Sequence, residues 1–253
     1  MLGFIGDIHG DIYYLIEKVK QIQHLVTAVI QVGDCYPKKS LIKRYMKEFL
    51  ALRVPIYWID GNHEPWNDFY SLENDQLVKT APNMFYVPRG TVMELDGKTI
   101  AFLGGAASVD KEIRLRQKME WDARENIQPS EFERLERNCA GKKIDILVTH
   151  VPPQSVILGN FSNRDKRKYY GVPLDWTDPN AVEVQKVWER LGKPMMLCGH
   201  MHRTVHFESN SRILDACETF IYPNPYSVEV PEIKPTGILV VDWEEPKHYN
   251  GGN

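Results

Sequence analysis

Short apolar runs alternate with segments of helical spacing in the N-terminal part of the chain. The runs at Leu2–Ile5, 26–32 and 54–59 are rich in aliphatic residues, and each is followed closely by a glycine, which is typical of buried strands. Between them, apolar residues recur at helical spacing over 12–19 and 41–52, which predicts two helices. This alternation predicts a parallel sheet with right-handed crossovers.

The middle of the chain predicts a second sheet. Its short apolar runs predict strands at 84–87, 92–95 and 100–103. The last two runs are joined by Asp96-Gly97, a pair typical of a hairpin turn. A charged segment of helical period follows at 111–139, and 144–148 again predicts a buried strand. The βα pattern therefore resumes after the hairpin.

The C-terminal part predicts a long polar surface loop at 154–178 and a helix at 181–191. Further strands are predicted at 195–198, 205–207, 212–215, 227–230 and 238–241. Because no linker separates these segments, residues 1–245 are predicted to form a single domain. Residues 246–253 are predicted to be a disordered tail.

Composition narrows the class of protein. The chain has 253 residues, of which 43% are hydrophobic and 26% charged, and this is typical of a globular protein rather than a disordered or fibrous one. The formal net charge is −3, so we expect no stable complex with nucleic acid and no electrostatic attraction to a membrane surface.

The cysteines and the N-terminal residues indicate in which cellular compartment the protein is expected. Four cysteines occur without a Cys-x-x-Cys pair, which indicates neither a disulfide framework nor a thiolate zinc site. The first apolar run is too short for a signal peptide, and no stretch of about 18 apolar residues is present to cross a membrane. We therefore expect a cytoplasmic protein.

Five predicted strands end in loops that carry metal-binding side chains. In chain order these side chains are Asp7 and His9, Asp34, Asn62, His150, and His200 with His202. Ligands bind at the carboxyl ends of strands in α/β sheets, so the five loops are expected to converge. Seven donors exceed what one tetrahedral ion needs. The sequence therefore predicts two divalent ions, with Asp34 as the bridging carboxylate.

One such motif alone is weak evidence, since an isolated Asp-x-His or His-x-His is more often a buried, hydrogen-bonded group. Here, however, five of the eight histidines fall in these loops. The series as a whole predicts a metal centre.

The ordered blocks Asp-x-His, Gly-Asp, Gly-Asn-His-Glu, His and Gly-His-x-His, from residue 7 to residue 202, resemble the signature of the calcineurin-like metallophosphoesterase family. The resemblance implies an α/β fold, a four-layer αββα sandwich with two central mixed β-sheets. It also implies that one ion is held by Asp7, His9, Asp34 and His202, and the other by Asp34, Asn62, His150 and His200. In that family pattern His63 is the catalytic acid.

A finer resemblance concerns the segment 104–111 with Arg114 and Trp121, which looks like a group of small bacterial and phage metallophosphatases. Protein Ser/Thr phosphatases of the family carry an Asp-Arg-Gly block and an arginine before Gly-Asn-His-Glu. This chain has neither, because residues 35–39 read Cys-Tyr-Pro-Lys-Lys and Asp60 precedes Gly61. The missing arginines argue against protein phosphatase activity.

The expected enzyme is a metal-dependent phosphoesterase that hydrolyses phosphate mono- or diesters by attack of a metal-bridged hydroxide, with His63 as general acid. Asp60 or Glu64 is expected to orient the His63 ring. The residues expected to bind substrate are Asn62, Lys38, Arg114 and Arg164. Manganese is the favoured metal, and iron, Zn²⁺ or Ni²⁺ is compatible with the same ligands.

The substrate is expected to be a small phosphate ester, with nucleotides included because the basic segments 111–118 and 164–170 suit phosphates and bases. The alternative for both segments is a solvated charged surface. The alternative functions are a nuclease or a cyclic-nucleotide phosphodiesterase of the same fold and, more remotely, a non-catalytic scaffold.

Overall fold

The computed structural model describes residues 1–161, 170–173 and 175–222. Its strands are β1 (Leu2–Ile5), β2 (Ala28–Gln31), β3 (Ile56–Trp58), β4 (Val78–Ala81), β5 (Met84–Tyr86), β6 (Val92–Leu95), β7 (Lys98–Leu103), β8 (Ile146–Thr149), β9 (Met195–Cys198), β10 (Val205–Phe207), β11 (Ser211–Ile213) and β12 (Thr219–Tyr222). Its α-helices are α1 (Ile12–Ile22), α2 (Lys39–Arg44), α3 (Met46–Ala51), α4 (Lys111–Arg116), α5 (Pro129–Cys139), α6 (Gln154–Asn160) and α7 (Pro179–Arg190).

The strands form two six-stranded sheets of matching design. The first has the order β12-β1-β2-β3-β5-β4, and the second has the order β10-β11-β9-β8-β7-β6. In each sheet the four central strands are parallel, and each edge strand pairs antiparallel with its neighbour. Both sheets are therefore mixed, and the predicted hairpin of β6 and β7 is confirmed.

Three apolar layers hold these sheets together. Phe4 and Phe102 belong to the layer between the two sheets. The next residue in β1, Ile5, faces a second layer that includes α1, while Leu135 of α5 and Val184 of α7 form the third layer with the other sheet. Because both faces of each sheet are covered, the central strands are expected to lack a regular alternation between apolar and polar residues. The result is the four-layer αββα sandwich that the family resemblance implies.

Two of the predicted helices begin at residues whose side chains cap the first turn. The Asp11 side chain accepts a hydrogen bond of 3.0 Å from the Tyr14 backbone N–H at the start of α1. At α7, the Asp178 carboxylate accepts one of 2.7 Å from the Asn180 N–H, and Pro179 occupies the first turn. Both satisfy amide groups that a helix start leaves without intrahelical partners.

The observed elements differ from the predicted ones at four places, the first being that only Lys111–Arg116 and Pro129–Cys139 of the predicted helical segment 111–139 are α-helix. The predicted helix over 41–52 is two short helices, α2 and α3, that meet at Tyr45, whose φ and ψ of −105° and 23° are not helical. The segment 154–178 is not entirely loop, because α6 lies within it and buries Val156 against the second sheet's helical layer. Strands β4 and β12 were not predicted, since each is a short edge strand that depends on a neighbouring strand.

Several predictions lie outside the described residues. They are the strands at 227–230 and 238–241, Arg164 with the basic segment 164–169, and the tail 246–253. The single domain over 1–245 stays a prediction. In the part of the chain that is described, no helix combines the length and apolar character needed to cross a bilayer.

Candidate metal centre and active site

The predicted ligands all follow the carboxyl ends of strands, from both sheets. The first sheet carries Asp7 and His9 after β1, Asp34 after β2 and Asn62 after β3, and the second carries His150 after β8 and His200 with His202 after β9. The sandwich thus brings together residues that lie up to 195 positions apart, from Asp7 to His202.

Four of these side chains form one tight group. His9 Nε2 lies 2.9 Å from His202 Nε2, which in turn lies 3.2 Å from Asp7 Oδ2. Ligand atoms from Asp7, His9, Asp34 and His202 all lie within 4.8 Å of one another. Two carboxylates and two imidazoles at this spacing are suited to a single divalent cation.

Asp34 connects this group to a second one. Its Oδ2 lies 3.9 Å from His9 Nδ1, whereas its Oδ1 lies 3.4 Å from His150 Nε2. The rings of His150 and His200 are 5.1 Å apart between centroids. Asp34 thus lies between the two groups.

The backbone of this site is strained. His9, Asp34, His200 and His202 have φ values of 45°, 51°, 70° and 45°. Residues other than glycine rarely adopt this left-handed region, and each such residue costs of the order of 1–3 kcal/mol. Four of the seven predicted ligands therefore hold conformations that the surrounding fold imposes.

Two glycines allow the carboxylates to sit close to the backbone. A Cβ atom on Gly61 would lie 2.0 Å from Asp34 Oδ1, and one on Gly199 would lie 2.0 Å from Asp7 Oδ1. Any side chain at either position would displace a predicted ligand. The glycines of the Gly-Asn-His-Glu and Gly-His-x-His blocks are therefore needed for room.

Three ligand atoms are buried without a hydrogen bond in the described part of the chain. Asp7 Oδ1, Asn62 Oδ1 and His150 Nε2 have no hydrogen bond there, although their residues are at most 6% exposed. His150 Nδ1 lies 2.9 Å from the Val32 carbonyl oxygen and donates to it, so Nε2, which lies 3.4 Å from Asp34 Oδ1, is the nitrogen that could face a cation after losing its proton. Unpaired buried polar atoms are costly. These residues therefore fit a bound cation.

The pKa values of two histidines in this region shift in opposite directions. Burial opposes charge on the His150 ring, but Asp34 and Asp7 outweigh it and raise the pKa of His150 to about 10. Burial likewise works against ionised Asp34, yet the cationic forms of His150 and His63 hold the pKa of Asp34 well below its usual range. By contrast, burial and His150 lower the pKa of His200 to about 3, so that ring is neutral, as a metal ligand must be.

A pocket of about 150 Å³ opens beside this centre. Its lining consists of His9, Tyr36, Asn62, His63, Glu64, Trp66, Arg114, Met119, Glu120, Trp121 and Asp122. A guanidinium nitrogen of Arg114 lies 2.7 Å from His63 Nδ1, and the Arg114 Nε–H donates to Asp110 Oδ2 at 2.8 Å. The predicted acid and a predicted phosphate-binding arginine thus share one wall.

Asp60 and Glu64, the residues expected to orient His63, have other contacts. The Asp60 carboxylate accepts hydrogen bonds from the Tyr86 hydroxyl and from Arg89. Glu64 accepts from the backbone N–H groups of Cys35, Tyr36 and Gly61 at 2.8–3.1 Å. Glu64 therefore secures the loop after β2. Arg114, rather than either acid, contacts the His63 ring.

Asp60 belongs to a buried charge cluster that we call the Arg89 hub: Asp60, Tyr86, Arg89 and Glu131. The Arg89 side chain has no exposed surface, and its nitrogens lie 2.6 Å from Asp60 Oδ2 and 2.9 Å from Glu131 Oε2. The guanidinium also donates to the backbone carbonyl groups of residues 124–126. Sequence reasoning missed this cluster, because its members form no recognisable motif.

The remaining predicted substrate-binding residues are less central. Lys38 Nζ lies 4.5 Å from the centroid of the Tyr36 ring, which lines the pocket. Arg164 is outside the described residues. Sequence reasoning also missed Asp110, and its only signal is the i, i+4 spacing to Arg114.

This fold and site define a class, namely an α/β sandwich that gathers carboxylates and imidazoles at the strand ends of both sheets to hold divalent cations. The sequence model of the calcineurin-like phosphoesterases matches residues 2–204, and the chain belongs to that family. Its members generally bind divalent metals, and phosphoester hydrolysis is the activity that the family suggests.

Solved structures are similar in outline. The protein TT1561 of Thermus thermophilus is 11% identical, with a TM-score of 0.46, and the match covers 84% of this chain and 86% of that one. The phosphopantetheinyl hydrolase PptH from Mycobacterium tuberculosis is 14% identical, with a TM-score of 0.44 and the same coverage of 84% and 86%. Among curated proteins, no sequence matches this chain.

Proposed function

We propose that this chain is a dinuclear metal-dependent phosphoesterase that hydrolyses small phosphate mono- or diesters. The observation that carries this proposal is a set of three buried ligand atoms, on Asp7, Asn62 and His150, that have no hydrogen bond to any described residue, in a centre that adjoins the His63 pocket. Family membership supports phosphoester hydrolysis as the reaction class.

The two ions are assigned to two sets of ligands that share Asp34. The first set is Asp7, His9, Asp34 and His202, and the second is Asp34, Asn62, His150 and His200. When bound, such ions neutralise phosphoryl oxygens and lower the pKa of water towards 7. Manganese is our choice of metal, since mixed imidazole and carboxylate ligands accept it, although iron, Zn²⁺ and Ni²⁺ fit the same donors.

The residues of the chain supply the remaining steps. Arg114 holds the phosphate beside His63, and Asp110 holds Arg114 in place. Burial, with the charge of Arg114 and against that of Asp34, lowers the pKa of the His63 ring to about 4. A phosphate anion bound on Arg114 would place negative charge next to the ring and favour its protonated form. His63 then gives its proton to the leaving-group oxygen.

The pocket supports a small ester with a planar group. Tyr36, Trp66 and Trp121 line its volume of about 150 Å³, and aromatic rings stack on planar groups. A nucleotide ester is therefore one candidate. The four cysteines are free, which agrees with the proposed cytoplasmic setting.

The proposal is tested by a matrix of metals against substrates. Metal-free protein is loaded with Mn²⁺, Fe²⁺, Zn²⁺ or Ni²⁺ and assayed with an aryl monoester, an aryl diester, a cyclic nucleotide, a phosphopeptide and single-stranded DNA. Turnover of small esters that requires metal supports the proposal. Preferred cleavage of DNA would favour the nuclease alternative, and no turnover with any loaded metal would favour a scaffold.

His63→Ala is the sharpest single variant. Turnover is expected to fall by about 10² or more, because the leaving oxygen loses its proton donor, while calorimetry shows unchanged metal stoichiometry. His206→Ala serves as the control, since that histidine is exposed on β10. Full activity of His63→Ala with both ions bound would contradict the role of His63.

A further inference from the structure

The side-chain amide of Asn62 is held from behind by a serine. Asn62 Nδ2 donates to the Ser108 hydroxyl oxygen at 3.0 Å. Its Oδ1 is buried and has no hydrogen-bond partner among the described residues. An asparagine can rotate its amide by half a turn and exchange these two atoms. What fixes the amide therefore decides whether an oxygen or an NH₂ group is offered to a cation.

The Ser108 hydroxyl is itself committed. It donates its single hydrogen to Glu125 Oε2 at 2.6 Å, and the Ser108 backbone N–H donates to Glu125 Oε1 at 2.9 Å. Because that hydrogen goes to the carboxylate, the hydroxyl oxygen only accepts from Asn62. An amide turned the other way would place Oδ1 against a hydroxyl that has no hydrogen left to give.

The Glu125 carboxylate is buried where it can hold the Ser108 hydroxyl hydrogen. Ser108 and Glu125 are 5% and 1% exposed, so water does not replace either partner. The Glu125 carbonyl also accepts a hydrogen bond of 3.1 Å from the Ala106 N–H. Residues 106–108 are thus held to Glu125 by backbone and side-chain hydrogen bonds. We call the connection from Glu125 through Ser108 to Asn62 the relay.

We propose that Ser108 and Glu125 are positioning residues that fix the orientation of the Asn62 amide and thereby set the affinity for the divalent ion that Asn62 binds. The inference rests on the proposed function, in which Asn62 is a ligand. Neither residue touches the ion or the substrate, so both act through Asn62.

Glu125→Gln tests the relay with almost no change of shape. The new carboxamide still accepts from the Ser108 N–H, but its NH₂ group now donates to the Ser108 hydroxyl. The hydroxyl hydrogen is released and can bind Asn62 Oδ1, which favours the reversed amide. Outer residues that orient metal ligands typically contribute 10- to 100-fold in metal affinity, so we expect Mn²⁺ affinity at one of two sites to fall by about 10-fold or more.

The measurement is Mn²⁺ titration calorimetry of the metal-free wild type and of Glu125→Gln, Ser108→Ala, Asn62→Ala and Glu133→Gln. The last is the charge-matched control, since Glu133 is exposed on α5. Ser108→Ala removes the anchor without changing charge and should weaken the same site. Thermal unfolding of the metal-free variants shows that each is folded.

A double variant separates orientation from simple loss of charge. If Glu125 acts through Asn62, Glu125→Gln has no further effect on Mn²⁺ affinity in the Asn62→Ala background. Equal weakening of both sites, or additive effects in the double variant, would overturn the inference. So would wild-type affinity in Glu125→Gln and Ser108→Ala when Asn62→Ala weakens binding. If Asn62→Ala binds like the wild type, the ligand assignment fails instead, and the relay with it.

Discussion

Two clusters of buried charge come within two residues of each other along the chain, at Asp60 and Asn62, and they differ in whether their polar atoms are hydrogen-bonded. In the Arg89 hub, Asp60 has both oxygens bonded, to Tyr86 and to Arg89, and Arg89 also bonds Glu131. In the metal centre, Asp7 and Asn62 each keep a buried oxygen without a partner among the described residues. We call the hub a closed cluster, because protein groups bond its carboxylates, and the metal centre an open one, because buried oxygens there lack such bonds.

The difference in hydrogen bonding indicates that the hub stabilises the fold, whereas the centre is suited to bind a cation. A closed cluster gains little by binding a further ion, because both of its carboxylates share Arg89 and their oxygens are hydrogen-bonded. An open cluster carries a desolvation cost that a cation would relieve. The left-handed backbone of four predicted ligands adds to that cost. We therefore expect hub variants to lose stability and centre variants to lose metal and activity.

The largest effect is expected from opening the hub. Arg89→Met leaves the carboxylates of Asp60 and Glu131 buried without a cation, and breaking a buried pair in this way costs about 3–5 kcal/mol. The free energy of unfolding, measured in urea by circular dichroism, should fall by that amount. Arg124→Met is the control, since the ion pair of Arg124 with Asp122 is about one-third exposed and contributes about 1 kcal/mol at most. Equal losses for both variants would mean that the hub is no different from a surface pair.

The next effect, counted for a single ion, comes from filling the metal centre. Metal-free protein given Mn²⁺ at about 100 times its Kd should gain about 2.7 kcal/mol for each ion bound. Thermal unfolding with and without a chelator measures this gain. Asp34→Asn should lose most of it, because Asp34 contacts both ligand groups. A metal-induced gain that survives in Asp34→Asn would show that the ion binds elsewhere.

A smaller effect should follow from removing one hydrogen bond of the hub. Tyr86→Phe leaves Asp60 Oδ1 without the hydroxyl that lies 2.8 Å from it, and a bond to a charged group contributes about 1.5 kcal/mol. The stability loss should appear in urea unfolding, while the stabilisation by Mn²⁺ stays as in the wild type. Weakened metal binding in Tyr86→Phe would show that the hub and the centre are coupled.

The smallest effect is expected at the rim of the pocket. Lys38→Ala removes a half-exposed charge beside Tyr36. Because exposed charge pairs contribute only about 0.2–1 kcal/mol, KM for a phosphate ester should rise about two- to fivefold, with kcat unchanged. Lys39→Ala is the control, because Lys39 is more exposed and pairs with Asp68. The same KM for both variants would place Lys38 outside the substrate site.

Much of the centre was predictable because each predicted ligand lies within four residues of the end of a strand. Asp7 and Asp34 come two and three residues after buried strands, and parallel strands of one sheet end at the same edge. The orienting partner of His63 was not predictable in this way. Asp60 and Glu64 are its neighbours in sequence, yet Arg114, fifty-one residues away, makes the contact.

The sequence by itself determined the two sheets, the family and the identity of the predicted ligands, because strands, turns and motif residues are local patterns that repeat at recognisable spacing. Only the tertiary structure decided which buried polar atoms are satisfied and which are not. Asp60, Asn62 and Glu125 are all buried, but what each one binds depends on segments that meet only when both sheets have packed. That is why the sequence locates the centre, whereas the fold shows what closes the Arg89 hub and what holds Asn62.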